Sequence, residues 1–242
     1  MSSASSSASS QEQQLSSSSS SEPLPSRPKI IISGGPASGK GTQCGFIVKE
    51  LDVVHLSTGD MLRAAIKAGS EDGRAAEEYV TSGRLVPDDV MIRIVGARVM
   101  EPDCLERGFV LDGFPRTAVQ ADALVAAGVQ CDVFLQIELD DEEAIKRVAG
   151  RRLDPETGDI YHMKYRPPAE EILDRLVQRE DDTEDKVRVR LATYHNNMAD
   201  IIENFAHCTV SVDSNKKEAH QIWAEFREGL KRYVLLGDPT GA

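Results

Sequence analysis

The sequence predicts an α/β fold, a parallel sheet with helices on both faces, and three observations predict it. From Lys29 onward, short apolar β-rich runs alternate with longer helical patterns, the mark of a sheet covered on both sides. The 242 residues suffice for one substantial core and are cramped for two. No apolar run approaches the ~20 residues of a bilayer span, and no repeat with a period of 20 to 50 residues is present.

In chain order, "KIIIS" (29–33) reads as the first strand, three isoleucines in a row being a fully buried run, and "GKGTQCGFIVKEL" (39–51) as the helix after it. "VVHLS" (53–57) is the second strand, followed by helical "MLRAAIKAG" (61–69) and "DDVMIRIVGARVMEP" (88–102). "GFVLDG" (108–113) and "DVFLQIEL" (132–139) are the next strands. "DEEAIKRVAGRRL" (141–153) and "DKVRVRLATYHNNMADIIENF" (185–205) then read as helices on either side of a hairpin, "LDPETGDIYHMKY" (153–165), with Gly158 at its turn. "CTVSVD" (208–213) is the last strand and "KEAHQIWAEFREGLKR" (217–232) the closing helix.

Residues 1–28 stand apart. Fourteen of the first 26 are serine, with prolines at 23, 25 and 28, a composition that cannot bury a core and is expected to be disordered. A serine-rich N-terminus suits an organelle transit peptide, yet the only charges before Arg27 are Glu12 and Glu22, and no apolar segment for secretion is present. A net charge of −12 argues against a general nucleic-acid or anionic-membrane surface, though an anion could still bind where arginines gather. Cys44, Cys104, Cys131 and Cys208 form no C-x-x-C pair and read as reduced, structural thiols.

The stretch "SGGPASGKGTQC" (33–44) places G-x-x-x-x-G-K between the first strand and the first helix. Glycines let successive N–H groups turn inward, the helix N-terminus adds positive potential, and a lysine reaches outer phosphates. Gly34 and Gly39 are the spaced glycines and Lys40 the cation; Gly41 takes the usual Ser/Thr place, displacing the hydroxyl to Thr42. A ligand-free glycine-rich turn is the alternative. Nucleotide binding follows from the loop alone, the reaction does not.

Further on, "HLSTGDMLRAA" (55–65), "GRLVPDD" (83–89), "LDGFPRTAVQ" (111–120), "GRRLDPETGDIYH" (150–162) and "QREDDTEDKVRVRL" (178–191) occur in order. With the loop, residues 29 to about 233 resemble an adenylate kinase of the nucleoside monophosphate kinase family. The resemblance implies a P-loop five-stranded parallel sheet and two mobile insertions, an AMP-binding segment at 57–86 and a lid at 150–182. It also implies the reversible reaction ATP + AMP ⇌ 2 ADP with Mg²⁺.

Two polyphosphates brought end to end need converging cations, and arginine's planar fork suits phosphate oxygens. By resemblance Arg63 and Arg116 hold the AMP phosphate, Arg151, Arg179 and Arg190 close over the bridging phosphates, and Lys40 stabilises the transferred group. The donor site adds Gly34, Ala37, Ser38, Gly39, Gly41, Thr42, Ile160, Tyr161 and Lys216, with Arg147 against the adenine on the same helical face as Arg151. Thr58 and Gln120 read the acceptor adenine beside Arg84, Leu85 and Val86, with Gly113, Phe114 and Pro115 lining the acceptor site. One helix face cannot present both Arg188 and Arg190 inward, and motif position selects Arg190. Asp112 is expected to orient Mg²⁺ through water, or else to cap a loop; Asp181 and Asp182 to orient lid arginines.

Arg98, Arg107 and Arg175 read as surface arginines, solvated or in exposed ion pairs, and His55, His162 and His195 carry no assigned chemistry. The segment 150–182 has no cysteine, so the zinc-bearing lid is excluded as far as cysteine ligands go. Its "P-P-x10-R" spacing most resembles plant and algal plastid adenylate kinases, which points to a plastid, with a cytoplasmic location as the alternative. ATP is preferred as donor over GTP, and a monomer is expected. Gly59, Gly83 and Gly150 are the expected hinges. Two competing readings are a kinase with another base preference and a nucleotide-sensing module without turnover.

Overall fold

A computed structural model of the chain describes residues 28–82 and 84–235. The N-terminal segment read as disordered, save Pro28, and the hinge candidate Gly83 lie outside the described residues.

β1 (Lys29–Gly34) leads into α1 (Lys40–Leu51), then β2 (Val54–Ser57), α2 (Thr58–Lys67) and α3 (Glu71–Ser82). α4 (Asp88–Val99), α5 (Pro102–Arg107), β3 (Phe109–Asp112), α6 (Ala118–Ala126) and β4 (Val133–Glu138) follow. α7 (Asp141–Ala149) precedes the short strands β5 (Arg151–Leu153) and β6 (Ile160–His162), a 3₁₀ turn covers Glu170–Arg175, and α8 (Glu184–Phe205), β7 (Thr209–Asp213) and α9 (Ala219–Leu230) follow, with a last helical turn over Lys231–Leu235. β2, β3, β1, β4 and β7 form, in that spatial order, one parallel five-stranded sheet.

Strand alternation divides the core in two. Ile31, Leu111 and Phe134 point to the face covered by α4, α6 and α8, where Phe134 stacks on Phe205 with ring centroids 5.0 Å apart. Ile30, Ile32, Val110 and Leu135 point to the other face, against Ile47 of α1 and Ile222 and Phe226 of α9. Burial on both faces is why these strands read as unbroken apolar runs. Each such side chain contributes about 1.5–3 kcal/mol of transfer free energy.

From β1 the chain moves to β2 and β3 on one side and then crosses to β4 on the other. The order therefore reverses beside β1, and the crevice at the carboxyl ends of β1 and β3 is the place where such sheets hold ligands.

The expected helix over 141–153 is corrected. α7 stops at Ala149, and Arg151–Leu153 form β5, antiparallel to β6 with Arg151 opposite His162. Leu153 also exchanges backbone hydrogen bonds with Val177 (2.8 and 2.9 Å), so strand partners on both sides outcompete continuation of the helix. Arg147 and Arg151 consequently share no helical face. Helices α3, α5 and α6 lie where the sequence pattern predicts no element.

Candidate active site

The loop after β1 closes on its own lysine. Gly39 caps α1 with φ +101° and Ala37 is also left-handed at +55°. Lys40 Nζ donates to the Gly34 and Gly35 carbonyls, both at 2.8 Å. Burial, and secondarily the cations Arg116, Arg190 and Arg151, push its pKa down to about 8 against the opposing pull of Asp112. Ser38 is buried within the loop, whereas Gly41 and Thr42 are exposed on the first turn of α1.

Five arginines from four parts of the chain come within electrostatic reach of this lysine or of each other. Arg151 on β5 binds both oxygens of buried Asp182, with Nε to Oδ2 at 2.7 Å. Arg190 on α8 donates to Asp181 Oδ2 at 2.9 Å, and Arg63 on α2 pairs with Asp60. Arg116 is partly open to solvent at the crevice, with its Nε on the Gly113 carbonyl at 2.7 Å and within the field of Asp112, Asp181 and Arg63. Arg179 makes no ion pair among the described residues, and its Nε is buried without a hydrogen-bond partner.

Arg179 and Arg190 are both pushed down to about 10, by burial first; next come Arg63 and Arg151 for Arg179, and for Arg190 the cations Arg116 and Arg151 acting against Asp181. All remain charged at neutral pH, so the ensemble is a cation cluster with too few anions of its own. Arg188 turns outward to Glu184 and Glu142.

Below the arginines, Thr58 donates to the Asp112 carbonyl at 3.0 Å. Gly113 has φ +84°, and a Cβ there would come within 2.8 Å of Thr58 Oγ1 and 2.9 Å of Arg116 Nη2, so glycine is required for the close packing of this corner. Phe114 and Pro115, joined by a cis peptide, are buried beneath it. Gln120 accepts from the Arg116 N–H (2.7 Å) and donates to Asp88 (2.8 Å), and Asp88 also receives the Thr117 hydroxyl (3.0 Å). The sequence reading gave Asp88 no role; its signal was its place in "VPDD", which reads equally as a helix start.

Arg84 is exposed and paired with Glu78 over the Tyr79 ring, while Leu85 is half-buried and Val86 buried. Arg147 donates to Glu143 (3.2 Å) and to the Ser214 carbonyl (3.4 Å), close to the β7 end where Lys216 is exposed. Ile160 and Tyr161 lie half-buried on β6.

Arg175 departs from expectation. Nε and Nη2 both reach Asp154, whose side chain is fully buried, so this is an internal clasp of the 150–182 segment, while Nη1 also pairs with exposed Glu156 at 2.8 Å and the side chain stays about a third exposed. Gly150 has ordinary right-handed dihedrals, so no backbone strain calls for glycine; a Cβ there would meet the His162 ring at 2.5 Å.

A family model for adenylate kinase matches residues 32–210. Over 188 residues the chain is 48% identical to "Adenylate kinase, chloroplastic" of Zea mays, covering 77% of this chain and 85% of that protein. Over 185 residues it is 48% identical to "Probable adenylate kinase 2, chloroplastic" of Oryza sativa subsp. japonica, covering 76% of this chain and 64% of that protein.

Proposed function

From the premise that the chain belongs to the adenylate kinase family, we propose that it transfers a phosphoryl group reversibly from ATP to AMP, giving two ADP. The observation that carries the reading is Arg179, half-buried with its Nε buried and unpartnered, making no ion pair among the described residues and lying within the field of Arg63 and Arg151. A cation cluster of this kind is unfavourable by itself and becomes favourable when several phosphate oxygens enter it.

The attacking group is an oxygen of the AMP phosphate, so no side chain needs to act as nucleophile and positioning supplies most of the catalysis. Arg63 and Arg116 hold the acceptor phosphate. Lys40 leaves the Gly34 and Gly35 carbonyls for the transferred group, while Arg151, Arg179 and Arg190 neutralise the oxygens between donor and acceptor. Thr58 and Gln120 orient the acceptor adenine, with Asp88 fixing the Gln120 amide. Gly34 to Thr42, Arg147, Ile160, Tyr161 and Lys216 take the donor. Segment 57–86 acts as the acceptor-binding insertion and 150–182 as the lid that excludes water, which would compete with AMP.

Asp112 fits a Mg²⁺ ion held through water: its single carboxylate sits at the carboxyl end of β3, half-buried and close enough to Lys40 to raise that pKa. Mg²⁺ keeps several waters and needs few protein oxygens. When bound with the nucleotide, it neutralises charge on the transferring phosphates.

A coupled assay offering AMP, UMP, CMP and GMP as acceptors with ATP or GTP as donor tests the proposal. ATP with AMP is expected to give the highest turnover. Nucleotide binding without ADP formation would replace the enzyme by a sensor. We further propose a plastid location, supported by the names of the two relatives, and a monomeric state; imaging of a tagged full-length chain and light scattering test these.

A further inference from the structure

Beside the phosphate loop, Cys44 of α1, His55 of β2 and Asp112 of β3 bring a thiol, an imidazole and a carboxylate to one point, with their ligand atoms within 4.8 Å of one another. Among the described residues no other group of His, Cys, Asp and Glu converges in this way. His55 Nε2 lies 3.7 Å from Asp112 Oδ2, too far for a hydrogen bond. The two groups therefore face one another without satisfying one another. A tetrahedral ion with bonds of about 2.0–2.3 Å spaces its ligands roughly 3.5 Å apart. Closing from 4.8 Å asks only for small rotations of His55 and Asp112, and the imidazole is about a third exposed, which provides an entry path.

We propose that Cys44, His55 and Asp112 form a binding site for a thiophilic divalent cation of the zinc class, which differs from the oxygen-ligated Mg²⁺ of the nucleotide in its thiolate and imidazole ligands while sharing Asp112 with it. A thiolate and an imidazole select zinc-like ions over Mg²⁺, which favours oxygen. On binding, the Cys44 thiol gives its proton to solvent and its sulfur becomes a ligand; His55 binds through Nε2, Asp112 through one oxygen, and water completes the coordination. Cys104 is unsuited, since the Arg98 guanidinium lies 2.9 Å from its sulfur.

Occupancy has a consequence that rests on the proposed kinase reading. It draws the Asp112 carboxylate away from the water-mediated Mg²⁺ position and so inhibits phosphoryl transfer.

The test is titration of the nucleotide-free full chain with Cd²⁺, following the thiolate-to-metal absorption band, and with Zn²⁺ in competition. The expected result is one ion per chain, with the band abolished in Cys44→Ala and affinity lowered roughly tenfold or more in His55→Gln. The double variant Cys131→Ala/Cys208→Ala is expected to bind like the parent. A band that persists in Cys44→Ala, or equal affinity in His55→Gln, overturns the site. His55→Gln leaves the core intact and so decides even if the Cys44 variant folds poorly. In the kinase assay, Zn²⁺ inhibition at fixed Mg²⁺ is expected to weaken in His55→Gln; equal inhibition overturns the link to Asp112, while the band judges the site independently of any turnover.

Discussion

Replacing Lys40 by methionine is expected to stabilise the nucleotide-free protein at neutral pH while destroying its activity. The unfolded chain keeps the Lys40 proton up to about 10.5, whereas in the folded protein burial and neighbouring cations lower the value to about 8. That lowering makes the charged lysine cost about 3 kcal/mol at pH 7. Methionine removes that cost, which is net of the charged lysine's hydrogen bonds to Gly34 and Gly35, so the variant is expected to be the more stable at pH 7. Between pH 8 and 10.5 the unfolded state binds the extra proton, so the parent gains stability as pH rises and the variant does not. The variant's advantage is expected to shrink by roughly 2 kcal/mol between about pH 7 and 10. Urea unfolding of both proteins without nucleotide measures this, since titrating groups remote from Lys40 cancel in the comparison. A stability difference independent of pH would refute the reasoning, as would a variant less stable at pH 7. ADP formation is expected to fall by roughly 10³-fold or more.

Arg179→Lys is expected to lower turnover roughly 10²-fold or more in the ADP-forming assay, because a point charge cannot reproduce the fork, while leaving the unfolding midpoint nearly unchanged. Gly150→Ala places a methyl group where the His162 ring lies at 2.5 Å; a loss of about 1–3 kcal/mol in the local stability of β5 and β6 is expected by hydrogen exchange. Asp154→Asn weakens the Arg175 clasp, so the Leu153 and Val177 amides, which hold one another at 2.8 and 2.9 Å, are expected to exchange severalfold faster. Unchanged exchange there would mean that the hairpin is held by its backbone alone.

The sheet was legible because its strands are buried on both faces: Ile30–Ile32 and Val133–Leu135 are apolar at every position, and no helix pattern fits so short a run. The loop was legible because glycine and lysine spacing is local chemistry. The end of α7 was not, since "GRRL" continues a helical pattern and only distant partners, His162 and Val177, turn it into a strand. α3 was hidden by its composition, six of twelve residues being charged or glycine, and it forms by packing Gly73 and Ala76 against its neighbours. In the site, helix geometry required that only one of Arg188 and Arg190 face inward and motif position selected Arg190, but the clasp of Arg175 was hidden, because the burial of Asp154 depends on how the whole hairpin folds. The convergence of Cys44, His55 and Asp112 spans three elements and 68 residues and has no signature in spacing.

Asp181 and Asp182 already occupy the guanidinium groups of Arg190 and Arg151. Any incoming anion therefore has to win an exchange, replacing carboxylates that are covalently tethered and always present. A lone inorganic phosphate or a nucleoside offers too few oxygens for that trade, whereas a triphosphate meeting a monophosphate offers enough to displace several pairs together. On the proposed kinase reading the aspartates would set a threshold, the full clamp engaging when both reactants bring their oxygens together.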